Sequence, residues 1–409
     1  MKHIYTSLDI GSDSIKVVVC ELYQNKLNLL AASSCKSKGI KKGLITDVEL
    51  AGITIKQAIN EVENMLNIKI RKVIASVPSY MAEYTIIKGD VEIPNNIVTH
   101  EVVMNSLEVA MKTKELNGKE MVTILPIDFK IDNGDSIIET VGKMGRILSS
   151  RSVLVSVPKK NIYSVVGVLE NIGIEVIDIS LNNIGDLYAF KNNNFESKIA
   201  AIINIGSEVT SVSIYNRNVV VKSSILNTGG KNIDSDIAYM YKIDMDTANS
   251  IKTKFAVADT SHASNSDLYE IKNGEGTFKV TQLEVSQIVS SRLEEILNLA
   301  KNELNNLTSK QIDYIIITGG VCNTQGFEYL AQEVFPNQVS LGNVKIVGIR
   351  NSKYSACVGN IVYFINKLKL KGKDYTMIND DEASGMTSSS NRNSKESMLG
   401  KIFGYFFNE

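Results

Sequence analysis

The stretch Ser7-Leu8-Asp9-Ile10-Gly11-Ser12-Asp13-Ser14-Ile15-Lys16 sets an acid, a glycine and hydroxyls in a short turn between two β-rich runs, Ile4 to Leu8 and Ile15 to Cys20. Gly11 can adopt φ > 0 and lets backbone N–H groups point into one anion-sized concavity. Asp9, at the end of the first run, is placed to hold waters of a Mg²⁺ that accompanies phosphates. Alone, an Asp-x-Gly turn is an ordinary hairpin. The pattern returns far downstream: Ala200 to Ile203 leads into Asn204-Ile205-Gly206-Ser207-Glu208, and Val209-Thr210-Ser211-Val212 follows. Two such turns, from a duplicated domain, can face each other across a cleft. A third element fits the same cleft. The apolar run Ile312 to Thr318 ends in Gly319-Gly320-Val321, where a flat base or ribose can lie against the backbone at strand carboxyl ends. Between them, Thr228-Gly229-Gly230 opens a helix near Ile233 to Met240, and Thr247-Ala248-Asn249-Ser250-Ile251-Lys252 opens another, so helix N-termini can meet phosphate or ribose.

The elements that must carry these turns read as α/β. Leu27 to Ser33 predicts a third strand, and Gly39 and Gly43 bracket a basic loop. Thr46 or Asp47 can cap a helix in which Leu50, Ile53, Ala58, Ile59, Val62, Met65 and Leu66 recur at helical spacing. The strand Lys72 to Val77 ends at Pro78, and strand–helix–strand order implies a mainly parallel, doubly wound sheet. Residues 79–160 change character. Strands are predicted at 84–93, 121–131, 139–142 and 151–157, with a helix capped by Thr99, so this reads as an inserted α+β subdomain that offers a surface for partners. Helical period resumes at Lys160 and gives way to a strand from Glu175 to Ile179. Asp178 there reads as structural.

Composition narrows the function classes. With 409 residues, 44% hydrophobic, 22% charged and a net charge of −1, the chain suits two or more globular domains and lacks the basic excess that nucleic acid demands. Cys20, Cys35, Cys322 and Cys357 show no Cys-x-x-Cys spacing, and His3, His100 and His262 stand apart, so neither a zinc site nor a disulfide framework is supported. No run reaches the length of a membrane span, and a cytoplasmic protein is expected.

The tail is distinctive. From about Lys371 to Ser397 the composition turns to Asp, Ser, Asn, Gly and Lys, as in a flexible linker. Beyond it, Met398, Leu399, Ile402, Phe403, Phe406 and Phe407 fall on one face of a short helix that can lie in a membrane interface.

Taken together, two Asp/Asn-Ile-Gly-Ser turns, a Gly-Gly turn before a helix, an Ala-x-x-Ile-Lys helix and a Thr-Gly-Gly turn, in this order, resemble the actin-like ATPase superfamily and, within it, the FtsA family of bacterial cell-division proteins. Gly39-Ile-Lys-Lys-Gly43, Ile124-Leu125-Pro126-Ile127, Val141-Gly142 and Ser235-Asp236-Ile237-Ala238-Tyr239 add to the likeness, which spans nearly the whole chain. It implies duplicated actin-like (ribonuclease H-like) domains: subdomain IA from 1–78 and 161–190, an inserted subdomain IC at 79–160, domain II at 191–370 with IIB at about 231–304, the linker 371–397 and the amphipathic helix 398–409. It implies ATP and Mg²⁺ as ligands. Asp9, Gly11, Ser12 and Ser14 would form the first phosphate turn, with Asp9 reaching the metal through water; Asn204, Gly206, Ser207 and Thr210 would form the second. Gly229, Gly230, Asn249, Lys252, Gly319, Gly320 and Val321 would border ribose and base. Two departures stand out: Asn204 and Asn249 occupy positions where relatives commonly carry Asp and Glu. Amides bring no negative charge to a metal or a water, so ATP binding with slow turnover or none is expected, without an enzyme's role. The resemblance further implies anchoring of FtsZ, through its C-terminal peptide docked on 231–304, to the cytoplasmic face of the membrane at the division site. Self-association into filaments, lipid contact and later division proteins as partners follow from it too. A pilus-assembly adaptor like PilM and a small-molecule kinase of the same superfamily are the alternatives.

Overall fold

A computed structural model describes residues 3–192, 198–274, 276–336, 338–344, 346, 348, 349 and 351–378. The helix expected at 398–409, with Met398, Leu399, Ile402, Phe403, Phe406 and Phe407, lies outside the described residues, as does the expected linker from 379 onward.

The first half opens with three antiparallel strands, β1 (His3–Ile10), β2 (Ser14–Tyr23) and β3 (Lys26–Lys36). The short pair β4 (Ile40–Lys41) and β5 (Leu44–Ile45) forms the basic loop, in which Gly39, Lys42 and Gly43 all take positive φ. Helix α1 (Val48–Leu66) follows, with the Asp47 side chain accepting from the Leu50 N–H. Its buried residues, Ala51, Ile55, Ala58, Ile59, Val62 and Leu66, recur every three or four positions, the spacing of one helical face. Strand β6 (Lys72–Val77) then pairs parallel to β1.

The insertion consists of β7 (Glu83–Glu92), α2 (His100–Lys112), β8 (Lys119–Ile131) and β9 (Ile147–Pro158), with sheet order β7-β9-β8. The strand expected at 139–142 is absent: this stretch is a turn with Gly142 at φ +83°, flanked by isolated bridges from Ile137 to Phe129 and from Met144 to Ile97. Thr140 is buried there but Val141 is exposed, so the stretch has no continuous apolar face to hold it in a sheet. Asp128 of β8 is buried and pairs with Arg151 of β9 and, at 2.9 Å, with Arg217 from the second half.

Helix α3 (Lys159–Asn171), β10 (Glu175–Leu181) and α4 (Asn182–Phe190) return the chain to the first sheet, whose order is β10-β6-β1-β2-β3. Asp178 pairs with Lys367 at 2.6 Å. The second half repeats the plan. Strands β11 (Ile199–Ile205), β12 (Thr210–Asn216) and β13 (Val219–Leu226) are antiparallel. Helices α5 (Gly230–Tyr241) and α6 (Met245–Lys254), the hairpin of β14 (Leu268–Asn273) and β15 (Gly276–Thr281), and the long α7 (Gln282–Leu307) come next. Strand β16 (Tyr314–Thr318), α8 (Phe327–Val334) and β17 (Val339–Leu341) complete a sheet of order β13-β12-β11-β16-β17. In both sheets a three-stranded antiparallel meander is extended from its first strand by two parallel strands.

The last helix, α9 (Ser355–Leu370), corrects the expected boundary of domain II at 370. It packs on α4, β1, β2 and β6, so it belongs to the first half. Its contact with α4 is unusually close because Gly185 and Gly359 face each other; a Cβ on Gly359 would lie 1.7 Å from the Gly185 carbonyl oxygen. The expected linker start at 371 is also corrected. Met377 N–H donates to Ile4 O at 2.9 Å, Tyr375 packs edge-on to Phe364, and Met377 and Ile378 are buried against the first sheet. Apolar burial therefore holds this polar-looking segment as far as 378.

Candidate functional site

The two turns lie at equivalent places in the two sheets. In the first, Asp9 sits opposite Lys16 and Ile10 opposite Ile15 across β1 and β2, with the Gly11 N–H donating to Ser14 O at 3.2 Å. In the second, Asn204 sits opposite Ser211 and Ile205 opposite Thr210, with the Gly206 N–H donating to Val209 O at 3.0 Å. The same register therefore carries an Asp–Lys pair in one half and an Asn–Ser pair in the other.

Both turns line one cleft of about 460 Å³ between the halves. Of the residues singled out from the sequence, Asp9, Gly11, Ser12, Ser14, Asn204, Gly206, Ser207, Gly230, Asn249, Lys252, Gly319, Gly320 and Val321 line it. Thr210 and Gly229 stand behind the wall instead. Thr210 is fully buried and its hydroxyl donates to Thr228 O at 2.9 Å, while a Cβ on Gly229 would fall 2.6 Å from Gly206 O. Their work is to brace the second turn against the start of α5. Gly319 needs its missing side chain more directly: its φ is +103°, and a Cβ there would meet Ile205 O at 2.3 Å and Asn204 Oδ1 at 2.7 Å.

Asp9 is held from three sides. Its Oδ1 accepts from Ser76 Oγ and from Asn182 Nδ2, both at 2.8 Å, and its Oδ2 accepts from Lys16 Nζ at 2.9 Å. Burial alone would lower the Lys16 ammonium, but the charge and hydrogen bond of Asp9 outweigh it and hold it above its ordinary value. Lys353, from the turn before α9, also lines the cleft, and burial, together with the charge of Lys16, pushes its ammonium below the usual lysine range. Two ammonium groups that oppose each other in one cleft are relieved by an anion.

Sequence reasoning missed Lys16, Lys353, Asn182, Asp186 and Glu208 as members of this site. Lys16 lay inside the opening stretch, and the strand pairing that brings it back onto Asp9 was its signal. Asp186 is fully buried on α4. Its Oδ2 accepts from Asn204 Nδ2 at 2.7 Å, and its Oδ1 accepts from Ser355 Oγ at 2.6 Å. Burial raises its carboxyl to about 6, against the pull of those two hydrogen bonds and with help from the Asp9 charge. Glu208 spans the mouth of the cleft: its carboxylate accepts from the Lys42 N–H at 2.5 Å and from Lys231 Nζ at 2.6 Å. Burial would raise it, yet Lys231 and the Lys42 amide hold it below the usual carboxylate range. Ser12 Oγ accepts from the Gly43 N–H at 2.7 Å, so the basic loop is drawn over the first turn. On the far side, Lys252 and Asp234 form a buried pair at 2.7 Å, and Asn249 Nδ2 donates to Asp234 Oδ2 at 3.1 Å. Among the described residues no group of three or more His, Cys, Asp or Glu side chains is placed to hold a metal ion. No described helix is long and apolar enough to cross a membrane.

Two halves of identical sheet order, each offering a glycine turn to a shared cleft, define an actin-like protein. The family model of the type IV pilus assembly protein PilM matches residues 7–263, and that of cell division protein FtsA matches 201–359. Solved structures with this fold include the PilM–PilN type IV pilus biogenesis complex, with TM-score 0.59 and 13% identity over 88% of this chain and 98% of that one. MreB5 of Spiroplasma citri bound to ADP aligns with TM-score 0.57 and 14% identity over 90% of this chain and 98% of that one. The PilM model covers more than half of the chain and places it in the actin-like ATPase group that PilM and FtsA share. Over near full length it is 26% identical to cell division protein FtsA of Bacillus subtilis, spanning 90% of this chain and 85% of that one. It is 28% identical to that of Streptococcus pneumoniae, spanning 86% and 78%. Within that group, the chain is similar to cell division protein FtsA over nearly its full length.

Proposed function

We propose that this chain is an actin-like cell-division protein that binds Mg-ATP between its halves and ties FtsZ to the cytoplasmic face of the membrane at the division site. The observation that carries the nucleotide reading is the convergence of Lys16 and Lys353 on a cleft walled by two glycine turns, a place that calls for a polyanion. The residues fit the ligand. Gly11, Ser12, Gly206 and Ser207 offer backbone and hydroxyl donors to phosphates, and the open wall at Gly230, Gly320 and Val321, with Asn249 and Lys252 beside it, suits a ribose and a flat base. Asp9 keeps lone pairs beyond its three protein donors, enough to orient a metal-bound water. Bound magnesium would neutralise phosphate charge. Asp9 is the one carboxylate at the Asp9/Asn204 pair of turn positions, which supports nucleotide held as a conformational brace with slow turnover or none.

Partner contacts follow the family. The FtsZ C-terminal peptide would dock on the subdomain at 231–304, where Tyr239, Met240, Met245 and Leu268 are exposed. The inserted subdomain would meet later division proteins, copies of the chain would associate into filaments, and residues 398–409 would bind lipid. Tail-dependent recruitment of FtsZ to liposomes, with and without ATP, tests the whole reading. The full chain is expected to bring FtsZ down with the liposomes, and a chain lacking 398–409 or carrying Phe403→Glu is expected to lose both itself and FtsZ from the pellet. Unchanged sedimentation of the truncated chain removes the membrane role. Failure to bind the FtsZ peptide while ATP still binds favours the pilus-adaptor alternative, which the PilM match over 7–263 supports. Phosphoryl transfer to sugars or acetate would point to a kinase.

A further inference from the structure

The two amides at positions where the family resemblance leads one to expect acids, Asn204 and Asn249, are treated alike by the structure. Each turns its NH₂ group onto a buried carboxylate from a neighbouring helix: Asn204 onto Asp186 of α4 at 2.7 Å, and Asn249 onto Asp234 of α5 at 3.1 Å. Asp186 is 1% exposed and Asp234 4%, and neither lines the cleft, whereas both asparagines do. Each carboxylate is also gripped from its far side. Ser355 Oγ donates to Asp186 Oδ1 at 2.6 Å, and Lys252 Nζ lies 2.7 Å from Asp234 Oδ1, an ion pair outside hydrogen-bonding alignment.

An ionised carboxylate only accepts hydrogen bonds, so an amide against it must present nitrogen and turn its carbonyl oxygen the other way. For Asn204 that oxygen lies against Gly319, at the wall of the cleft. A solvated amide can offer either end to a ligand, but a clamped one cannot. Negative charge is thus set back by one side chain from the positions where an acid is expected, while the acceptor character of those positions is kept.

We propose that Asp186 and Asp234 are positioning residues that lock Asn204 and Asn249 as hydrogen-bond acceptors, so that the site selects O–H donors: a metal-bound water on the phosphate side and a ribose hydroxyl on the other. The inference rests on the nucleotide reading given above. It assigns the two carboxylates a part in ligand selection, which a purely structural role in the fold would not give them.

The test is equilibrium binding to the full chain of ATP, 2′-deoxy-ATP and 3′-deoxy-ATP, with and without Mg²⁺, by calorimetry, with folding of each variant checked by thermal melting. Asp234→Asn frees the Asn249 amide to flip and is expected to reduce the preference for ATP over at least one deoxynucleotide about fivefold, with little change for that deoxynucleotide itself. Asp186→Asn is expected to weaken Mg-ATP about tenfold, the size of one well-placed hydrogen bond, and to weaken metal-free ATP less. The exchange Asn204→Asp with Asp186→Asn returns a fixed acceptor to the turn and is expected to recover Mg-ATP affinity to within about threefold of the original chain. Unchanged selectivity and affinity in both single variants, or an exchange variant no better than Asp186→Asn, overturns the inference while the nucleotide reading stands. An original chain that binds no adenine nucleotide overturns both.

Discussion

Substitution of Gly359 by alanine should damage both the fold and the cleft, and the size of the damage follows from the crossing of α4 and α9. The added Cβ would lie 1.7 Å from the Gly185 carbonyl oxygen, 2.5 Å from its carbon and 2.9 Å from the Ala189 nitrogen, all backbone atoms. Ordinary contact begins at 3.4 Å, so the helices must part by well over an ångström, since no flexible side chain can yield in their place. In a helix without such a neighbour, Gly→Ala stabilises by about 1 kcal/mol. Overpacking typically costs about 1–3 kcal/mol and more against rigid groups, so a net loss of roughly 2 kcal/mol is expected. Separation of the helices also pulls on Asn182, which reaches Asp9 at 2.8 Å, and on Ser355, which reaches Asp186 at 2.6 Å. Both bonds fail if stretched by an ångström. Urea denaturation gives the stability change, and nucleotide titration of the folded fraction gives the effect on the cleft. A variant with an unchanged or higher denaturation midpoint would refute the close crossing; a destabilised variant with full affinity would refute the coupling of that crossing to the site.

Asp9→Ala is expected to weaken Mg-nucleotide binding roughly tenfold or more beyond Asn204→Ala, because of these two matched turn residues Asp9 alone is charged; calorimetry of both variants decides, and the reverse order contradicts the assignment. The Asp186 carboxyl, raised from 3.8 to about 6, keeps its proton in the folded state at pH values where the unfolded chain has lost it. Its contribution to stability is therefore full below pH 3.8 and lost as pH rises through about 6, a change of about 3 kcal/mol at most. The difference in unfolding free energy between the original chain and Asp186→Asn, followed by urea denaturation from pH 4 to 7, should shift in the variant's favour across that window; a constant difference would contradict the buried, raised carboxyl.

Much of the fold was legible because its signals are local. Helix α1 announced itself through Asp47 and its apolar spacing, and the recurrence of the Asp9 pattern at Asn204 exposed the duplication before any coordinate. What remained hidden depends on contacts between distant residues. The hairpin at 268–281 carries an exposed apolar residue at Leu268 and an exposed, polar-flanked β15, so its alternation is weak. Residues 371–378 read as linker, yet three of them pack on β1 and its neighbours. In the site, the glycine turns were visible as motifs, whereas Asn182 of α4 and Lys353, just before α9, line the cleft without belonging to any motif, and Asp186 of α4 stands behind it on Asn204. Thr210 was drawn toward the ligand by its place in the turn, and its hydroxyl proved to be committed to Thr228.

The matching registers of the two turns have a further consequence for any ligand. A duplicated fold tends to build a site with near twofold symmetry, in which an elongated molecule could bind either way round. Here the position that holds Lys16 in one half holds Ser211 in the other, and Asp9 is matched by Asn204. The ionic pair on one side and the neutral pair on the other give the cleft a direction. A polyphosphate held between the two turns would therefore meet an ionic pair from one half and neutral side chains from the other, so its two faces are not equivalent.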